Sequence, residues 1–242
     1  MNRFSAIIML LVVVAISGCS DKSTNDDENL ITNNAVRLLG LQEDVECEYI
    51  KYDTIISYYP SYFVTIDTSL VEFAAQASDS TRSQINLWFD SKKTSALKIT
   101  SNSVVNLGYF RTVNDADSLF KFSEPPQIFP LTVQTTDIWD SYSPPISPDG
   151  YPWIGSKLYF SYGMENRRSF ERSESLLLPL DNFICFVFKN EYRMPGTVTP
   201  FRTSYEYYSL DFGLVKMYST GTFGSSHVFM ISREATEAAP AR

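Results

Sequence analysis

The stretch VECEYIKYDTIIS, residues Val45–Ser57, is rich in Val, Ile, Tyr and Thr, residue types that are enriched in β-strands. Similar short runs recur between residues 36 and 233, separated by Ser, Asn, Asp, Pro and Gly. Aromatic residues make up 14% of the 242 residues, which favours the same pleated, half-buried surfaces. Because no parallel βαβ pattern appears, the sequence predicts a mainly β fold, an antiparallel sandwich or barrel.

Shorter strands are predicted along the rest of the chain, at residues 62–67, 85–89, 97–100, 118–122, 128–134, 158–162, 176–178, 183–189, 205–208, 214–218 and 227–232. The run FICFVF, residues 183–188, is apolar on both faces, which predicts a central strand covered on both sides. Lys216 shares a strand face with Leu214 and Tyr218, which predicts that this strand lies at the margin of the sheet.

One segment has the pattern of a helix. Ser69 and Glu72 have the spacing of a capping box. The apolar residues on one face of such a helix are Leu70, Phe73, Ala74 and Ala77. We therefore expect one short helix over residues 69–79.

The N-terminus has the pattern of a secretory signal. Arg3 precedes an apolar run over residues 4–16, shorter than the ~20 residues that a membrane-spanning helix needs. The run ends in Ile-Ser-Gly-Cys at residues 16–19, which resembles the lipobox of bacterial lipoprotein signal peptides. The resemblance implies that residues 1–18 are removed and that acyl chains on Cys19 anchor the protein to a membrane. The alternative is an incidental cysteine in an ordinary secretory signal.

Residues 19–34 are expected to form a lipidated acidic tether, because this polar stretch has too little apolar surface to fold. Ser20, rather than Asp, follows the lipidated cysteine, which resembles lipoproteins sent to the outer membrane. The acidic run at residues 26–28 resembles the export tag of surface-displayed lipoproteins, although a charge run beside a tether also serves as solvated spacing. We expect an outer-membrane location, with surface display as a further option.

Residues 35–233 are expected to form one β-rich domain, followed by a disordered tail over residues 234–242. Proline-rich stretches at residues 124–126 and 144–150 could divide two domains. A single domain with a long surface loop is favoured, because composition does not change across these stretches and half the chain would bury little core alone.

A second resemblance covers about residues 129–231. Phe129-Pro130-Leu131 precedes Trp139, and Tyr207-Tyr208 leads to the run Gly-Leu-Val-Lys at residues 213–216. This order resembles uncharacterised β-rich envelope proteins of bacteria, whose fold is similar to half-open barrels wrapped around a helix. The resemblance implies a single antiparallel half-open barrel, or a sandwich, with one short helix, and it implies a fold far more than an activity.

The residues that carry most enzyme chemistry are scarce. His227 is the only histidine, and no nucleophile elbow surrounds any serine. One histidine with Cys47 and Cys185 cannot form a usual zinc site, so no metal and no cofactor are predicted. Cys47 and Cys185 are expected to be free thiols, with Cys185 buried as a small hydrophobic residue.

The residue types present leave two functional classes. The net charge of −8 disfavours nucleic acid as a partner, since phosphates would be repelled. We expect a non-enzymatic, membrane-anchored envelope lipoprotein that binds an apolar ligand or a partner protein. The alternative is a hydrolase of envelope polymers that uses a pair of carboxylates. Candidate ligand-facing aromatic residues are Trp139, Tyr142, Tyr151 and Trp153, which could instead plug the open end of the β core.

Overall fold

The computed structural model describes residues 29–57, 63–113, 115–143, 163–222 and 224–235. Cys19, Tyr151, Trp153, the proline-rich stretch 144–150 and the strand predicted at residues 158–162 lie outside this set. Among the described residues, no helix has the length and apolar character needed to cross a membrane.

The described chain consists almost entirely of strands. The first group is β1 (Leu30–Thr32), β2 (Val45–Ser57), β3 (Phe63–Ala77), β4 (Gln84–Phe89), β5 (Lys92–Ile99), β6 (Ser103–Val113), β7 (Ala116–Lys121), β8 (Gln127–Pro130) and β9 (Val133–Gln134). The second group is β10 (Ile138–Ser143), β11 (Met164–Leu177), β12 (Asn182–Arg193), β13 (Arg202–Ser209), β14 (Gly213–Gly221) and β15 (Gly224–Ala235). One single-turn helix, α1 (Ala35–Leu38), follows β1.

Thirteen of the strands form one large sheet in the order β10-β11-β12-β13-β14-β15-β2-β3-β4-β5-β6-β7, with β8 paired to β6. Neighbouring strands are antiparallel. The two end strands, β7 and β10, do not pair with each other within the described ranges. The prediction of a mainly β, half-open barrel is therefore confirmed. The described residues contain one short helix, but it is α1 and does not lie at the predicted residues 69–79. Strands on both sides of the proline-rich stretches belong to this same sheet.

Alternation of side chains along each strand separates the interior from the outer face. On β14, Val215, Met217 and Ser219 are buried, whereas Lys216 is only partly buried. The prediction of a margin strand at Lys216 is wrong, because β14 pairs with both β13 and β15. Lys216 instead lies on the outer face, where its ammonium is 4.7 Å from the centre of the Tyr207 ring.

The run 183–188 lies in β12, which is interior in the sheet because β11 and β13 flank it. Phe183, Cys185 and Val187 are buried, but Ile184 is 68% exposed. The expectation of cover on both sides is therefore wrong at Ile184. Ile184 lies on the opposite face of β12 from Phe183 and Cys185, and this face is not covered at residue 184.

The helix predicted over residues 69–79 is wrong, because residues 63–77 form β3. Its partner β2 pairs with it without a register shift from Val45↔Ala75 to Ser57↔Phe63. Phe73 packs against the core cluster and Ala75 is fully buried, while Leu70 on the opposite face is 64% exposed. Pairing along the whole of β2 outweighs the local helical spacing.

The N-terminal segment packs against the core of the barrel. β1 pairs with β9, and Ile31 and Thr32 are buried, so the ordered domain begins inside the expected tether 19–34. Asn34 caps α1 by accepting a hydrogen bond from the Val36 backbone N–H, and Ala35 and Leu38 enter the core. At the other end of the chain, β15 runs to Ala235, so its pairing with β2 extends into the expected tail.

Candidate functional site

A cavity of about 990 Å³ occupies the interior of the half-open barrel. One wall, from the segment after α1 and from β2, β4 and β5, is mainly apolar and includes Leu39, Leu41, Val45, Leu87, Phe89 and Leu97. The facing wall, from β11, β12 and β13, carries Asn166, Arg168, Asn190, Tyr192, Glu206 and Tyr208. The exposed residues Asp90 and Ser91 also line the cavity, which therefore opens to solvent beside the turn between β4 and β5.

Glu206 is the charged centre of the polar wall and is 4% exposed. Its Oε2 accepts hydrogen bonds from Arg168 Nη2 at 2.8 Å and from the Tyr208 hydroxyl at 3.1 Å. Its Oε1 lies within hydrogen-bond distance of three further donors, which are Asn190 Nδ2 at 3.1 Å, Ser204 Oγ at 3.2 Å and the Tyr192 hydroxyl at 3.4 Å. A buried carboxylate is tolerated only when hydrogen bonds replace its contacts with water. Here donors from β11, β12 and β13 supply those hydrogen bonds.

The same cluster shifts the pKa of its neighbours. Burial raises the pKa of the Tyr192 and Tyr208 hydroxyls, and the adjacent Glu206 carboxylate adds to the effect. For Arg168, burial lowers the pKa, but attraction to Glu206 outweighs it, so the net shift of the pKa is upward. Both tyrosines are therefore neutral donors and Arg168 is a cation, which gives the wall a fixed pattern of hydrogen bonds.

Side chains bridge the open side of the barrel at the Ile128 carbonyl oxygen in β8. This oxygen accepts hydrogen bonds from Arg168 Nη1 at 2.7 Å and from Trp139 Nε1 at 3.1 Å. The Phe129 ring lies beneath them, with its centre 4.8 Å from the Arg168 guanidinium carbon and 5.1 Å from the Trp139 ring centre. The two ends of the sheet are thus held together by side chains at the edge of the cavity.

The acidic residues that line the cavity, among those described, are Asp90, Asp117 and Glu206. Each accepts hydrogen bonds from the protein: Asp90 from the Glu72 backbone N–H at 3.1 Å, Asp117 from the Thr112 hydroxyl at 3.1 Å, and Glu206 as described above. Both oxygens of Glu206 accept hydrogen bonds within this network. Among these three described residues, no pair of carboxylates is held together by a shared hydrogen bond, as the predicted alternative, a carboxylate-pair hydrolase, could use.

The predicted aromatic residues do not form one group in the described part of the chain. Trp139 lines the cavity and also packs on the core, whereas Tyr142 is 48% exposed and lies outside the lining. Tyr151 and Trp153 lie outside the described residues, as does Cys19. Their roles in ligand binding and lipidation remain predictions.

The other residues singled out in the sequence lie away from the polar wall. His227 packs against Tyr218 on the outer face, with tilted rings whose centres are 4.4 Å apart. Burial lowers the pKa of His227, and nearby Lys216 lowers it further. Cys47 and Cys185 are free and Cys185 is buried, as predicted, and Cys47 is buried as well. Within the described ranges, no three His, Cys, Asp or Glu residues are grouped as metal ligands.

The sequence reasoning missed Arg168, Asn190 and Glu206. The available signal was a glutamate in the aromatic run RTSYEYYS of β13, where alternation places Ser204, Glu206 and Tyr208 on the same side. That pattern identifies a charge facing a core, but it does not reveal that Arg168, 38 positions earlier, supplies the partner.

No protein-family model matches the chain, and no curated protein matches it. Several solved structures align with it, among them the following three. A candidate lipoprotein of Parabacteroides distasonis is 13% identical, with a TM-score of 0.38 and coverage of 80% of this chain and 96% of that one. A candidate exported protein of Bacteroides fragilis with a YmcC-like fold is 14% identical, with a TM-score of 0.34 and coverage of 77% and 95%. A beta-barrel-like protein from Brucella abortus, with a domain of unknown function, is 6% identical, with a TM-score of 0.40 and coverage of 81% and 98%.

Proposed function

We propose that this chain is a lipid-anchored, non-enzymatic protein of the bacterial cell envelope that holds an apolar ligand inside its half-open barrel. The observation that carries the proposal is the cavity of about 990 Å³. Its volume is at the upper end of those found for small-molecule sites, which are mostly apolar with a few placed polar groups. Membrane attachment through Cys19, in the outer membrane, follows from the lipobox and Ser20 and is part of the proposal.

The contrast between the two walls defines the ligand further. An apolar body packs against Leu87, Phe89 and Leu97, where burial contributes about 25 cal/mol per Å². A polar group on one side of the ligand faces the wall around Asn190 and Glu206. The proposed ligand is therefore an elongated apolar molecule with a polar edge, rather than a uniformly apolar hydrocarbon.

Binding is tested with the full chain purified in detergent and the uncharged fluorescent probe N-phenyl-1-naphthylamine, and the fluorescence of the probe in protein-free micelles of the same detergent is subtracted. Ser95 lines the cavity on β5, and the variant Ser95→Trp places an indole inside it. The matched control is Lys98→Trp, which adds the same side chain at an exposed position of β5. We expect Ser95→Trp to weaken probe binding at least about tenfold, because the added ring occupies apolar space, while Lys98→Trp binds as the wild type does.

Equal probe affinity in the two variants, at unchanged circular dichroism, would contradict a cavity site. Anchoring is tested separately by labelled palmitate, which should be incorporated by the wild type and not by Cys19→Ala. The non-enzymatic assignment is tested with peptidoglycan, glycan and ester substrates. Turnover that disappears when one buried Asp or Glu is changed to its amide would overturn it.

A further inference from the structure

The hairpin formed by β2 and β3 has an edge that β4 covers only in part. β3 pairs with β2 from Phe63 to Ala75, whereas β4 pairs with β3 only from Phe73 to Ala77. The Glu72 carbonyl oxygen is also occupied, because it accepts a hydrogen bond from the Asp90 backbone N–H. Within the described ranges, no strand pairs with the outer edge of residues 63–71.

The contacts of β3 define which backbone groups point to this edge. The Glu72 carbonyl and the Ser78 N–H both face β4, which places even-numbered residues toward that side. The β2–β3 ladder has no register shift, so the same parity holds along the whole strand. The N–H and C=O groups of Val64, Ile66, Thr68 and Leu70 therefore point away from β2 at the open edge.

Three of these four residues, Val64, Ile66 and Leu70, have apolar side chains that are exposed. Ile66 is 77% exposed, Leu70 64% and Val64 49%. Through pairing, they continue the outer-face row of Ile50 and Tyr52 on β2. Natural sheets protect such edges with charged residues, above all Lys, with Pro or with a bulge. Residues 63–71, FVTIDTSLV, contain no Lys and no Pro, have a regular register, and carry a single charge, Asp67.

We propose that this edge binds a second copy of the same chain, by antiparallel pairing of β3 with β3 about a two-fold axis at Thr68. In this register Thr68 of one copy lies opposite Thr68 of the other, and Ile66 of each copy lies opposite Leu70 of the other. It forms about six backbone hydrogen bonds, two for each hydrogen-bonded residue pair. The two most exposed apolar side chains of the edge then cover each other across the interface, which makes the edge self-complementary.

Charge selects this register over its neighbour. An axis at Asp67 would also pair even-numbered residues, but it would place two Asp67 carboxylates directly opposite each other, which is destabilising. With the axis at Thr68, each Asp67 lies opposite Ser69 of the other copy. In each copy β2 remains paired with β3, so the dimer joins two sheets into one continuous sheet.

The association is tested on the full chain in a density-matched detergent by analytical ultracentrifugation. Ile66→Lys places a charge in the apolar contact, and Thr68→Pro removes an N–H that points to the open edge and not to β2. Each is expected to raise the dissociation constant of the dimer at least about tenfold. The matched control, Val198→Lys, makes the same kind of change at a loop residue that is 88% exposed, and should leave association unchanged.

The register is tested by oxidative cross-linking of single cysteine variants in membranes. Thr68→Cys should give a disulfide-linked dimer, because paired Cα atoms across the axis are about 5.5 Å apart. Ile66→Cys should not, since the two copies of residue 66 are offset by four positions along the strands, roughly 13 Å. The wild type, whose Cys47 and Cys185 are buried, is the blank. A monomeric wild type, or cross-linking at Ile66 rather than Thr68, would overturn the proposal.

Discussion

The two described cysteines have thiols that burial keeps protonated. Burial raises the pKa of both Cys47 and Cys185 to about 11, against an ordinary value of 9.0. At pH 8 only about one thiol in a thousand is then a thiolate, the form that reacts. We expect a Cys19→Ala chain to show almost no labelling by a thiol reagent when folded, and labelling of both cysteines after unfolding in urea. Fast labelling of the folded chain would contradict this.

Asp79 organises the turn between β3 and β4 and should titrate at unusually low pH. Hydrogen bonds from Thr81 and Ser83 lower the pKa of its carboxyl from 3.8 to about 2. Because the pKa is lower in the folded state, the stabilisation is complete above about pH 4 and is lost as the pH falls toward 2. In the variant Thr81→Val the pKa should rise toward 3.8, which a pH titration followed by NMR measures. Ser80→Ala, in the same turn, is the control and should leave the pKa near 2.

At the scale of elements, β13 is the strand that places a charge inside the barrel. Arg168 and Glu206 side chains are only 13% and 6% exposed, so removing one partner leaves a buried charge without compensation. We expect Glu206→Gln to lower the free energy of unfolding by about 3 kcal/mol, measured by urea denaturation. Glu174→Gln breaks the more exposed Arg172–Glu174 pair and should cost less than about 1 kcal/mol. Equal losses in the two variants would show that the buried cluster contributes nothing beyond a surface ion pair.

β2 and β3 show how element prediction succeeds and fails. The boundaries of β2 agree with the predicted Val45–Ser57, because a run of β-branched and aromatic residues is a local property. The spacing of Ser69, Leu70 and Glu72 is equally local and predicts a helix, yet these residues lie in β3. A continuous ladder with β2 decides between the two, and a ladder depends on a partner strand that local spacing does not contain.

At the scale of the whole molecule, a contact between two glycines ties the N-terminal segment to the turn between β13 and β14. A Cβ added to Gly40, where φ is +66°, would lie 2.7 Å from backbone atoms of Phe212 and Gly213. Arg37 and Asp211 pair beside it at 2.6 Å. We expect Gly40→Ala to lower the free energy of unfolding by about 3 kcal/mol, because both backbone strain and a backbone collision result.

Gly196→Ala is the matched control for Gly40→Ala. Gly196 also has positive φ, +78°, but an added Cβ would meet no atom within 4 Å. Gly196→Ala should therefore lower the free energy of unfolding by only about 1 kcal/mol, the contribution of backbone strain. If thermal or urea unfolding shows the same loss for both variants, the close approach of residues 40 and 213 does not stabilise the fold.

The sequence by itself determined the mainly β class, most strand positions and the buried, free state of Cys185, because these follow from residue composition and alternation along short segments. Tertiary structure alone decided where β3 extends, that β14 is interior, and how the cavity is lined. Arg168 meets Glu206 across 38 positions and the Ile128 carbonyl across 40. Such contacts depend on strand order around the half-open barrel, and strand order is a property of the whole sheet that no local pattern specifies.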